Sequence, residues 1–134
     1  MDLRKYLFGD GKKDKGVVGK IAQEEWRLMS LAKRDQRGQY FHKIAMVFKA
    51  YNTIFSLMRV WLDVTKLFGF NIPNEIGREI KRAIEDLCGA ATEYIDNPVS
   101  SMRIRTAVKL GRCAAVEFRK AIKARRVKEA YGEI

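Results

Sequence analysis

The chain has one histidine, two cysteines and two prolines in 134 residues, and each scarcity removes a class of protein. Cys88 and Cys113 cannot build a disulfide scaffold, and with His42 they leave too few soft ligands for a zinc or iron–sulfur site. No metal and no cofactor are therefore expected. Two prolines and 10 glycines, against much alanine, leucine, isoleucine, lysine, arginine and glutamate, disfavour a turn-rich all-β domain and point to an all-α fold. No apolar stretch behind a short basic start resembles a signal peptide, so a reducing, cytoplasmic setting is expected. The longest apolar stretch, Ile44 to Phe68, contains Lys49, Arg59, Asp63 and Lys66, and reads as a buried helix instead of a membrane span.

What is abundant is apolar residue and positive charge. With 47% hydrophobic residues the chain can bury a core of its own, one domain's worth. Lysine and arginine number 27 against 16 acidic residues, a net charge of +11, and the excess is segregated. Residues 1–43 are net +5, residues 44–98 net −1 and residues 99–134 net +7. A neutral middle between two cationic ends is the electrostatic pattern of a polyanion binder.

Residues 1–19 mix Gly9, Gly11, Gly16 and Gly19 with Lys12, Lys13 and Lys15 and read as a basic arm. A first helix is expected over Val17–Gln36, its apolar stripe formed by Val18, Ile21, Ala22, Met29 and Ala32 and widened by Trp26 and Leu28. Its other side carries Lys20, Arg27, Lys33, Arg34 and Arg37, and Gly38 follows as a stop. The next helix, Tyr40–Phe68, is apolar nearly all round and so buried on several sides. Gly69 to Glu75 then supplies a stop and caps, and a third helix is expected over Asn74–Asp96. Asn97 reads as the N-cap of a last helix, Pro98–Tyr131. At 100° per residue, Arg105, Lys109, Arg112, Arg119, Lys120, Lys123 and Arg126 of that helix project within about 60° of one direction. Its packing face is expected opposite, at Leu110, Ala114, Phe118 and Ala121. The whole is a basic arm and first helix, residues 1–37, followed by an antiparallel bundle, residues 38–134, about four helices in all.

Motifs of catalysis are not met. Gly11 and Gly16 have phosphate-loop spacing, but Val17 stands where the lysine belongs. Glu24 and Glu25 are adjacent and diverge on a helix, and His42 has no second histidine or cysteine nearby. Cys88 and Cys113 read as inert buried thiols. Trp26, Phe41, Tyr51 and Trp61 fall on apolar stripes and are expected in the core, leaving Tyr6, Phe8 and Tyr40 beside the arm as candidates to touch a ligand. The expected chemistry is binding, by phosphate contacts that neutralise a nucleic acid without reading its sequence.

A basic arm and helix leading into a compact helical bundle resembles the major coat proteins of filamentous viruses of archaea. That resemblance implies a virion protein, assembled in the host cytoplasm, that wraps double-stranded DNA and polymerises with itself or with a paralogous coat subunit. It implies phosphate contacts at Lys12, Lys13, Lys15, Lys20, Arg27, Lys33, Arg34 and Arg37, and packing of the Ile44–Phe68 helix in the assembly; the stripe at Arg105, Lys109, Arg112, Arg119, Lys123 and Arg126 is the second candidate surface. A more local likeness runs through Lys49-Ala50-Tyr51, Ile72-Pro73 and Gly77 to Leu87. These segments resemble the basic, ring-forming four-helix proteins that accompany reverse transcriptases of diversity-generating retroelements and bind RNA. A scaffold whose cationic ends meet acidic proteins is the third reading.

Overall fold

The computed structural model describes residues 1–35, 38, 41–97 and 101–131 and is all-α. The expectations placed on Gln36, Arg37, Tyr40 and Pro98 lie outside the described residues. Among the described residues five helices follow one another: α1 (Arg4–Phe8), α2 (Gly16–Arg34), α3 (Phe41–Phe68), α4 (Asn74–Asp96) and α5 (Met102–Tyr131).

The central element is α3. It buries Ala50, Ile54, Leu57, Val60, Trp61 and Val64 among others, as a helix apolar nearly all round must. It packs on α2, α4 and α5, and its remaining side faces solvent, where Phe55 and Leu62 stay 39% and 38% exposed. Against it α4 presents one clean stripe, Ile80, Ile84, Leu87, Ala91 and Ile95. Asn97 closes α4, its N–H donating to the Glu93 carbonyl at 2.8 Å, instead of capping the last helix, which starts at Met102.

The packing face of α5 is Ile104, Ala107, Val108, Gly111, Ala115 and Ile122, rotated by about 80° from the expected one. Leu110 is 60% exposed and Ala121 is exposed, a correction to the sequence reading. The cause is Gly111, where an added Cβ would stand 2.8 Å from Thr53 Cγ2 and 3.1 Å from Leu87 Cδ1. Its missing side chain lets α5 approach α3 and α4 along this line.

The expected arm is folded onto the core. Leu3 and Leu7, one helical turn apart, are 2% and 0% exposed, and burying each contributes about 2 kcal/mol. The Met1 nitrogen donates to Asn71 Oδ1 at 2.7 Å and to the Ile72 carbonyl at 2.6 Å, and Ile72 N–H donates back to the Met1 carbonyl at 3.0 Å. After Leu7 the chain turns tightly through Gly9 and Gly16, at φ +74° and +66°; a Cβ on Gly9 would lie 2.0 Å from the Asp14 carbonyl. These glycines mark a close-packed turn, with Asp14 Oδ1 accepting from Gly16 N–H at 2.8 Å, where the composition had read as a flexible tail. Leu3, Leu7, Val17, Ile21 and Leu28 share one hydrophobic cluster with the rest of the molecule.

Candidate nucleic-acid interface

The cationic stripe of α5 survives the rotation of its packing face. Arg105, Lys109, Arg112, Arg119, Lys123 and Arg126 are all exposed, and among the described residues none is ion-paired. Lys120 differs in lying 3.6 Å from Glu117. Exposed arginine and lysine usually alternate with carboxylates on a helix, because i,i+3 and i,i+4 pairs add a few tenths of a kcal/mol each. On this side of α5 that pairing is forgone over about 32 Å of helix, at 1.5 Å per residue.

The fold adds a cation that sequence reasoning missed. Between the first half of α3 and the first half of α5 lies a groove of about 460 Å³, lined by Met46, Lys49, Arg105, Val108, Lys109, Arg112 and Cys113. Lys49 sits in the neutral middle of the chain, 56 positions from Arg105, and only the packing of α3 on α5 puts them on one surface. The sequence sign was a lysine inside an apolar helix, one of four cations there, and α3 holds a single acid, Asp63, which pairs with Lys66 at 3.5 Å. Cys113 is exposed on this groove, so the expectation of two buried thiols is corrected. Cys88, half-buried under α1 and α2, has its thiol pKa raised by burial.

The N-terminal cations lie on a separate surface. Lys12, Lys13, Lys15, Lys20, Arg27, Lys33 and Arg34 are exposed, but Arg27 is held by Glu24 at 2.8 Å and Lys20 shares a groove with Asp14 and Glu85. The helix that carries four of them, α2, packs away from α5. Lys20, Ile21 and Glu24 of α2 meet Tyr51, whereas Gly111 of α5 meets Thr53. Two residues apart on a helix is about 200°, so α2 and α5 lie on opposite sides of α3. The structure therefore divides the sequence-derived cations into two surfaces, and only the α5 set gains a partner from elsewhere in the chain.

The aromatic side chains are redistributed as well. Tyr51 and Trp61 are buried as expected, and burial raises the Tyr51 phenol pKa. Trp26 and Phe41, expected in the core, are 76% and 71% exposed. The candidates beside the arm are engaged internally: Lys81 sits over the half-buried Tyr6 ring at 5.1 Å, and Phe8 packs on Trp61 at 6.0 Å. Among the described residues no group of three histidine, cysteine or acidic side chains gathers to hold a metal, and no helix is long and apolar enough to cross a membrane. Comparison with protein-family models, curated proteins and solved structures finds no match to the chain.

Proposed function

We propose that this protein packages double-stranded DNA as a non-catalytic coat subunit, binding the sugar–phosphate backbone through the α3–α5 face. The observation that carries the reading is the run of ion-pair-free cations from Arg105 to Arg126, deepened by Lys49 at one end. Unpaired positive charge in a row is stabilised by a polyanion, whose bound counterions are released in exchange. The row spans about 32 Å, close to the 34–36 Å of one duplex turn. Its uncharged members, Val116 and Val127, are aliphatic, and single-strand binders stack bases on aromatic rings, so the surface suits phosphates of a duplex.

This reading moves the DNA contact from the N-terminal segment, which is packed on the core, to the last helix. Electron microscopy of the protein with long duplex DNA at low and high salt tests it. Regular filaments that enclose DNA and release it at high salt are the expected result. Discrete rings binding only structured RNA would replace it with the retroelement-accessory reading, and no complex at low salt would leave a protein scaffold.

A further inference from the structure

Among the described residues the most exposed large apolar side chain, Trp26, stands on the outer side of α2. At 100° per residue, Lys15, Gly19, Ala22, Met29 and Lys33 lie within about 60° of it, beside the polar Gln23 and Ser30, and with Trp26 their spacing alternates between four and three residues. That is the pattern of a helix seam with a partner. Among the described residues nothing covers it: Trp26 is 76% and Met29 54% exposed. The inward row, Val17, Ile21 and Leu28, already serves the core, so α2 has a second apolar ridge, bracketed at both ends by lysine.

A matching hollow lies across the molecule. Between α4 and α5 is a groove of about 460 Å³, floored by Ala83, Ala107 and Ala114 and walled by Leu110 and Phe118. Glu79, Asp86 and Arg82 stand on its rim; Glu79 has no cationic partner among the described residues, and Asp86 reaches only Arg103, at 4.0 Å. Glu75 continues the acidic edge one turn before Glu79. Glu75, Glu79 and Asp86 against Arg82 leave this edge net negative in a chain of net charge +11. Ridge and groove face opposite ways. Thr92 of α4 lines the α2 side, and Ala83, nine residues and so about 180° away, lines the groove.

We infer that the Trp26 ridge of one subunit docks in the α4–α5 groove of a second copy of this chain. The indole enters the hollow above the alanines, and Lys15 and Lys33 come to the acidic rim. The occupant follows from complementarity of shape and charge between two surfaces that one molecule cannot join within itself. Because ridge and groove are different surfaces, the contact is head-to-tail, and its repetition gives a ring or an open filament. This extends the packaging reading by naming its subunit contact, yet it uses none of the DNA-binding cations and can be tested without DNA.

The test is sedimentation equilibrium in about 0.15 M salt, where the Debye length is about 8 Å, on three proteins without nucleic acid. The wild type is expected to gain mass in steps with concentration. Trp26→Ala, and separately Glu79→Lys with Asp86→Lys, change exposed residues only and should stay folded by circular dichroism while associating at least about thirtyfold more weakly. Mixed one to one, the two variants should form a heterodimer and nothing larger, since one intact ridge and one intact groove remain. A wild type that stays monomeric overturns the inference, as does a mixture no larger than its parts, which would indicate a Trp26-to-Trp26 contact. Unchanged assembly of Trp26→Ala with weakened DNA binding overturns it in favour of base stacking. Arg105→Gln, Arg112→Gln, Arg119→Gln and Lys123→Gln together should weaken DNA binding, flatten its salt dependence by about half and leave assembly intact, so the two readings fail separately.

Discussion

Replacing Lys49, Arg105, Lys109 and Arg112 together by glutamine empties half of the proposed DNA face and alters no buried group. All four are exposed, so each change should move stability by no more than about 0.5 kcal/mol. The intact face offers Lys49, Arg105, Lys109, Arg112, Arg119, Lys123 and Arg126, seven cations free of ion pairs among the described residues. If each meets one phosphate, log K falls with log salt at a slope of about −6, and the variant retains about −3. Between 50 and 200 mM salt that is a loss of about four decades of affinity for the wild type and under two for the variant. Fluorescence anisotropy of a labelled duplex of arbitrary sequence, titrated at several salt concentrations, reads both slopes. The control is Lys20→Gln, Arg27→Gln, Arg34→Gln on α2, expected to leave the slope unchanged. A four-site variant within about one unit of the wild-type slope, or a control that loses as much, would refute the assignment of binding to α5.

Three further outcomes follow from the same geometry. Cys113, exposed on the cationic groove, should react with a maleimide well before Cys88, and bound duplex should slow Cys113 alone; mass spectrometry of the labelled peptides checks both. Trp61 is fully buried with its Nε1–H unpartnered among the described residues, so Trp61→Phe should cost less than about 1.5 kcal/mol of unfolding free energy in urea, against about 3–5 for Trp61→Ala. Burial raises the pKa of Cys88, Tyr6 and Tyr51, which stay protonated in the fold after the unfolded chain has lost those protons. Their stabilising contribution is complete below the unfolded values, about 8.5 for cysteine and 10 for tyrosine, and declines as pH rises beyond them. Urea midpoints measured from pH 7 to 11 should therefore fall at the alkaline end.

The limits of α4 could be read from the sequence because Asn74–Asp96 has one apolar side and stops at both ends. The α5 stripe was legible for a similar reason, a single sign of charge recurring at helical period. Its packing face was not. Small residues stand on two sides of α5, Ala107 and Ala115 against Ala114 and Ala121, and the deciding residue, Gly111, acts by what it lacks. On α2 the same ambiguity is sharper: Val17–Ile21–Leu28 and Ala22–Trp26–Met29 are both apolar rows, and only the position of α3 says which one faces inward. Leu3 and Leu7 were hidden among glycines and lysines, since two apolar residues carry no period. Lys49 joined the site through a contact between helices that no local pattern encodes.

A row of like charges left unpaired also acts on the molecule that carries it. Arg105 and Lys109, like Arg119 and Lys123, stand one turn apart, and beyond Ile122 the helix continues to Tyr131 with no buried side chain through Ala130. Each such pair repels by a few tenths of a kcal/mol at low ionic strength, and past Ile122 the described packing that offsets it is reduced to Arg125, whose guanidinium lies 4.4 Å over the Phe68 ring. Added salt screens that repulsion, so the end of α5 should become more helical and exchange its amide hydrogens more slowly in the solutions that strip the protein from DNA. Salt would loosen the complex and tighten the subunit, and a bound duplex, a denser source of the same counter-charge, would order the end of α5 as it binds.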